Sequence, residues 1–390
     1  MARISWYSNS CLVNSGYGRQ SAQVVHRMVK DNHDVSISAN YGAQVAMQCQ
    51  HGHPILPEGV LQFSLDAAPS SMMEWMQQEP TAFGVVLFDL WGLLNAPDFH
   101  KMNLACWTPV DHAPVPPLVY QFLADGKHHA IAMSRFGEEM LLDAGQPREE
   151  LTYIPHAFDM QTFRDVGMSA RQRLGIPESE FVVSTVAANR GKQPCRKGFG
   201  EMADAMALFM KDRPDVSWYI HTEPLGLADG INLPRLLAYA GVDRSRVRYP
   251  HPSQLRNGMP DEALADLYSS SNAHLLLSMG EGVGCPVIES QACGVPNVVT
   301  DATAQRELVG PHGKRIQAQR SWDEYQSSWF FIANVDQAYT ALQELYEETR
   351  AGAVDRKAVA ASVQEYDADL VYQTKWKPLI ERMSERGRRR

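Results

Sequence analysis

The chain has 390 residues, 44% hydrophobic and 21% charged, with a formal net charge of -9 at pH 7. That composition fits a globular protein of about two domains, and the acidic balance excludes a protein held to nucleic acid by bulk charge, which needs clustered Lys and Arg. No run approaches the roughly 18 apolar residues of a membrane-spanning helix, and the cysteines at 11, 49, 106, 195, 285 and 293 form no CxxC pair, which argues against a zinc ribbon or a redox motif.

The start, MARISWYSNSC, lacks the long apolar stretch of a signal peptide. With scattered cysteines it reads as cytoplasmic. Short apolar runs then alternate with longer amphipathic ones. Strands are expected at 4–7, 35–39, 84–88, 104–108 and 130–133, with helices at 19–30, 117–125 and 137–144 between them. A second series has strands at 181–186 (FVVSTV), 217–221, 246–249, 273–277 (AHLLL) and 297–300 (NVVT). Its helices are expected at 200–211, 232–240, 261–269 and 286–292. Strands alternating with helices imply parallel sheets with right-handed crossovers. Two series imply two doubly wound α/β domains, 1–165 and 166–365, with the seam in the polar stretch 159–177. The stretch 366–383 reads as a final helix, and 366–390 is assigned to the first domain.

Ligands of open parallel sheets bind beyond the carboxyl ends of the strands, so the loops there carry the candidate chemistry. After the first strand, NSGYGRQ places Gly16 and Gly18 around Tyr17. A tight turn explains this, or a loop that covers a ligand held by the other domain. WTPVDHAPVP puts Asp111 and His112 in a proline-stiffened loop, where the imidazole could position substrate or move a proton, or simply bond to backbone. NRGKQPCRKGFGEM crowds Arg190, Lys192, Arg196 and Lys197 into a strand-to-helix loop. Diphosphate calls for such groups, Lys as a point charge and Arg as a two-pronged donor; a solvated basic loop is the other reading.

MGEGVGCPVIESQACGVP follows AHLLL. Gly280, Gly282 and Gly284 leave backbone N–H groups open to close approach. Cys285 falls near an N-cap, and Pro286 suits the first helical position. Turn and helix start together make an anion site. Glu281 hangs from the turn, and Glu289 lies on the helix one turn in. Two carboxylates beside an anion site suit a nucleotide sugar, whose hydroxyls donate to carboxylates while its phosphates accept from N–H groups. A capped turn with surface glutamates is the alternative. DAD at 367–369 reads as helix-start charge rather than a metal site, PHAFD at 155–159 as a domain-joining turn, and RGRRR at 386–390 as a solvated tail, with a peripheral membrane contact as the alternative.

Taken in order, these stretches resemble the GT-B glycosyltransferases, in particular the large retaining family 4 (glycosyl transferases group 1). The main match is the E-x7-E pattern EGVGCPVIE running into ESQACGVPNVVTD. SGYGRQ, WTPVDHAPVP, AMSRFG, YIPHAFD, Arg196–Gly198 and IHTEP support it. The resemblance implies two Rossmann-like domains facing each other across a cleft, with a UDP- or, second, GDP-linked sugar held mainly by the second domain. Arg190 and Lys197 would neutralise the departing diphosphate, Glu281 would contact the donor sugar and Glu289 the ribose. Backbone at Gly282, Val283 and Gly284 would touch sugar or phosphate, Gly16, Tyr17 and Gly18 would approach the diphosphate, and His112 would contact the donor sugar. No metal or other cofactor is implied. Three departures stand out: a longer basic loop in which Arg190 and Arg196 compete for one role, Ala157 in PHAFD, and Ser15 before Gly16. The acceptor is open among lipid, glycan, protein, small metabolite and modified nucleobase, and the sequence does not fix the oligomeric state. A non-catalytic sugar-nucleotide or glycan binder, or an epimerase or phosphorylase, would share the fold.

Overall fold

The computed structural model describes residues 1–43, 46–48, 53–57, 69–191, 195–227 and 229–389. Lys192 of the basic loop and Cys49 lie outside the described residues. The chain forms two compact units: unit 1 is Met1–Phe158, Asp323–Ser328 and Tyr366–Arg390, and unit 2 is Asp159–Trp322 and Trp329–Glu365.

Unit 1 contains β1 (Arg3–Asn9), α1 (Gly16–Lys30), β2 (Asp34–Tyr41), β3 (Met47–Gln48), β4 (Pro54–Pro57), α2 (Ser70–Gln77), β5 (Phe83–Leu87), β6 (Leu104–Thr108), α3 (Pro117–Gly126), β7 (His129–Ala132), α4 (Arg135–Asp143) and β8 (Leu151–Tyr153). The sheet order is β3-β4-β2-β1-β5-β6-β7-β8. All pairs are parallel except β3 with β4. The inner strands β5 and β6 are buried along their whole length, as expected of strands covered on both faces.

Gly16, Tyr17 and Gly18 do not form the loop expected from sequence. They are the first residues of α1, because Ser15 caps it: its Oγ accepts from Gly18 N at 3.1 Å. Gly18 is required there, since a Cβ would lie 2.1 Å from Val13 O.

Unit 2 contains α5 (Met168–Leu174), β9 (Phe181–Val186), α6 (Phe199–Met210), β10 (Val216–His221), α7 (Leu233–Ala240), β11 (Val247–Arg248), α8 (Pro252–Asn257), α9 (Asp261–Ser270), β12 (Ala273–Leu276), α10 (Cys285–Ala292), β13 (Asn297–Thr300), β14 (Lys314–Ile316), β15 (Ala318–Asp323), β16 (Ser328–Ala333), α11 (Val335–Arg350) and α12 (Arg356–Ala361). The ends of β15 and β16 belong by contact to unit 1. The main sheet is all parallel in the order β11-β10-β9-β12-β13-β14, and β15-β16 form a separate pair. The central neighbours β9 and β12 end at the same sheet edge, so the loops after them emerge side by side. The core under them is built from Phe181, Val183, Phe199, Met202, Met206 and Trp218.

The expected final helix at 366–383 is present, unbroken from Ala368 to Arg389, with a wider turn inside it. It comprises α13 (Ala368–Val371), a π-helical turn at Tyr372–Trp376 and α14 (Lys377–Arg389). The wider turn accompanies Trp376, fully buried among unit 1's indoles. Asp367 Oδ1 accepts from Asp369 N at 3.0 Å and Leu370 N at 3.1 Å, so the first aspartate of DAD is a helix cap. No helix among the described residues is long and apolar enough to cross a membrane.

Candidate functional site

In unit 2 the loop after β9 meets the loop after β12. Asn189 anchors the first: its N–H donates to Thr222 Oγ1 at 3.0 Å, its amide nitrogen to Glu223 O and Ile231 O at 2.8 and 2.7 Å, and its Oδ1 accepts from Ile231 N at 2.9 Å. Gly198 then lets the chain enter α6 at φ 64°, ψ 30°. A Cβ there would sit 2.0 Å from Leu277 O. The two loops are thus in backbone contact, and Met279 N donates to Arg196 O at 2.7 Å. Gly198→Ala is expected to lower stability by roughly 1–3 kcal/mol from overpacking and to push the Arg196–Lys197 segment away from Glu281. Urea midpoints would record the loss of stability.

This junction brings Lys197, Arg196 and Glu281 together. Lys197 Nζ pairs with Glu281 Oε1. Arg196 Nη1 donates to Gly280 O at 2.5 Å and stands 3.7 Å from Glu281 Oε2. The side chains of Lys197 and Glu281 are only 15% and 11% exposed. Burial by itself raises the pKa of Glu281, but the charges of Lys197 and Arg196 outweigh it and hold the carboxyl below its ordinary range. Glu281 is therefore an anion and a hydrogen-bond acceptor at neutral pH. Arg190 lies apart from this group: it is exposed, and its guanidinium has no partner among the described residues. Of the two competing arginines, Arg196 is the one that reaches the glutamate turn.

The turn 280–284 is buried and leads into α10 through Gly284 at φ 99°, ψ 53°. Gly284, not Cys285, is the N-cap residue, which moves Pro286 one place inside the first turn. No protein acceptor among the described residues takes the N–H groups of Gly282, Val283 and Gly284. Buried amides at a helix start form an anion-binding concavity.

Glu289, also buried, accepts from Tyr268 OH at 2.9 Å through Oε2. Tyr268 in turn packs edge-on against His274, at 5.5 Å between ring centres. Complete burial pulls the His274 pKa to about 3, so that ring is neutral. Sequence reading missed Tyr268, whose α9 position gives no local sign of a contact with α10. It also missed Thr303, whose Oγ1 accepts from Glu281 N at 3.0 Å.

Unit 1 carries the remaining candidates. Tyr17 OH donates to Asp89 Oδ2 at 3.0 Å. His112 is buried, with Nδ1 2.7 Å from Asp111 Oδ1 and Nε2 3.2 Å from Asp323 Oδ2. Its ring thus lies between two carboxylates. No group of three or more His, Cys, Asp or Glu side chains suited to a metal occurs among the described residues.

The profile described as "Glycosyl transferases group 1" matches residues 253–328, a segment that contains both glutamates and Thr303. The MMP alpha-(1->4)-mannosyltransferase of Mycolicibacterium hassiacum is 28% identical over 183 residues, 46% of this chain and 38% of that protein. The D-inositol 3-phosphate glycosyltransferase of Thermobispora bispora is 26% identical over 212 residues, 48% of this chain and 47% of that protein. The match thus spans less than half the length of either relative. Among solved structures, Anabaena Alr3699/HepE in complex with UDP-glucose superposes with a TM-score of 0.69 at 17% identity, over 96% of this chain and 99% of that one. WaaG, a glycosyltransferase involved in lipopolysaccharide biosynthesis, gives 0.67 at 14% identity over 98% of both chains. The two parallel-sheet units have the GT-B fold. Segment 253–328 is thus similar to the group 1 glycosyltransferases, and across its length the chain shares the fold of these solved structures.

Proposed function

We propose that this chain is a retaining glycosyltransferase that moves a sugar from a nucleotide-diphosphate donor, UDP- or GDP-linked, to a hydroxyl acceptor. The observation that carries the reading is the unit 2 constellation. Arg196 and Lys197 stand beside a buried glycine turn in which the amides of Gly282, Val283 and Gly284 have no protein acceptor among the described residues, with Glu281 in the turn and Glu289 on the helix that follows. In this reading the amides of Gly282–Gly284 and the two cations take the diphosphate and stabilise it as it leaves, the electrostatic work that such transfer demands. Glu281, ionised, accepts from hydroxyls of the donor sugar. Glu289, steadied by Tyr268, accepts from the ribose. The complex of the similar Alr3699/HepE with UDP-glucose supports a nucleotide-sugar donor.

The test is a thermal-shift series with UDP, GDP, ADP, CMP and dTDP on the wild type and on Glu289→Ala. A nucleotide at about 100 times its Kd should stabilise the chain by roughly 2.7 kcal/mol. The expected result is a shift with UDP or GDP that Glu289→Ala reduces. No shift with any nucleotide would remove the donor site, and the transferase reading with it.

A further inference from the structure

Thr303 combines two features. Its backbone stands at φ 50°, ψ -152°, a region that side chains avoid and glycine enters freely. It is also buried, with its hydroxyl accepting the backbone N–H of Glu281 at 3.0 Å. The next amide, Ala304 N, donates to Glu281 O at 3.3 Å. Both backbone polar groups of Glu281 are therefore tied to residues 303 and 304, while its side chain is tied to Lys197. Glycine at 303 would hold the same turn without strain. Only the hydroxyl needs a side chain there.

We propose that Thr303 is a positioning residue for Glu281. Its hydroxyl fixes the peptide from which the carboxylate hangs, and the strained backbone is what brings the hydroxyl into reach. The proposal rests on the transferase reading for what Glu281 does, but not for where Glu281 sits. A glutamate that faces the donor sugar must be held closely, because a misplacement of about 1 Å can lower a rate roughly 100-fold.

The experiment compares the full-length wild type with Thr303→Ser and Thr303→Gly. Crystal structures would be combined with kcat and KM for hydrolysis of UDP-glucose and GDP-mannose. Thr303→Ser keeps the hydroxyl and is expected to superpose on the wild type and keep its kcat. Thr303→Gly should remain folded, since it relaxes the backbone, and should keep KM near the wild-type value. Its Glu281 carboxylate should leave Lys197, and kcat should fall roughly 10- to 100-fold. A Glu281 that stays in place in Thr303→Gly overturns the proposal whatever the activity, as does a kcat equal to that of the wild type. A serine variant as impaired as the glycine variant overturns it too. A wild type that binds no nucleotide and hydrolyses neither donor would instead sink the transferase reading, and the crystal structures would still decide the part played by Thr303.

Discussion

If the proposed transferase reading holds, Lys197→Met should abolish most transfer activity and destabilise unit 2 together, with a pH signature that separates the two effects. In the transferase reading, Lys197 neutralises the departing diphosphate, and loss of one such group costs about 100- to 1000-fold in kcat. The fold suffers as well, because Lys197 is the close counter-charge of a buried carboxylate. Breaking a buried pair from one side costs about 3–5 kcal/mol. In the wild type the Glu281 pKa is depressed. The stability this contributes is present above the ordinary carboxylate pKa and is lost as pH falls through the depressed value. In Lys197→Met, burial would push the same pKa up. The penalty is then largest at neutral pH and shrinks on acidification, once Glu281 is protonated and needs no cation. Urea midpoints of both proteins from pH 4 to 8 would converge toward acid, and parallel curves would refute the pairing. Lys197→Arg keeps the charge and should recover stability better than activity, since the guanidinium fork is not an ammonium point charge.

The Lys197–Glu281 pair joins residues 84 positions apart, yet both partners were legible in the sequence. Each sits in a loop just after a strand, and β9 and β12 are neighbours in the sheet. A rule about sheet edges was enough to bring them together. Tyr268 and Thr303 were not legible for the opposite reason. Tyr268 reaches Glu289 from α9, which precedes its strand, and Thr303 reaches Glu281 by a backbone excursion that nothing about a threonine announces. Asp323, the last residue of β15, lies 211 positions from His112, a separation that no local pattern bridges.

The fold follows the same logic. FVVSTV at 181–186 matches β9 to the residue, because it is a run dominated by β-branched residues that suit a buried strand. β14, with the sequence KRI, is three residues long and gave no such run. The 16-residue α11 is hard to read from sequence, although Asn334 caps it and its inward positions 338, 341, 342 and 345 have helical spacing. Two of those four are alanines, which dilute the apolar stripe. The glycines of α1 looked like a loop because the capping power of Ser15 depends on a hydrogen bond that spacing alone does not reveal.

Trp376→Ala should sharply lower the stability of unit 1. Trp376 is fully buried, with its ring centre 5.5 Å from that of Trp6 on β1 and 5.0 Å from that of Trp107 on β6. Those strands carry, at their carboxyl ends, the segments holding Tyr17 and His112. Truncating a buried tryptophan costs about 3–5 kcal/mol, or roughly 10 °C for a unit of this size. Polar contacts also hold the C-terminal segment, among them Arg386 to Glu150 at 2.5 Å and Arg27 to Asp369 at 2.7 Å, and most of them are partly exposed. Tyr372 to Asp31 at 3.1 Å and Lys377 to Asp31 at 2.8 Å both lie near the surface, where such pairs contribute about 1 kcal/mol or less. The segment should therefore become a protease target well below the unfolding temperature of unit 2, whose core does not include it. Trp376→Phe is the discriminating partner. The indole N–H of Trp376 is buried without an acceptor among the described residues, so phenylalanine sheds an unpaired donor while keeping most of the ring contact. Calorimetry should find Trp376→Phe much closer to the wild type than to Trp376→Ala, with the unit 2 transition unmoved in both. An alanine variant as stable as the wild type would show that the three indoles do not anchor the segment.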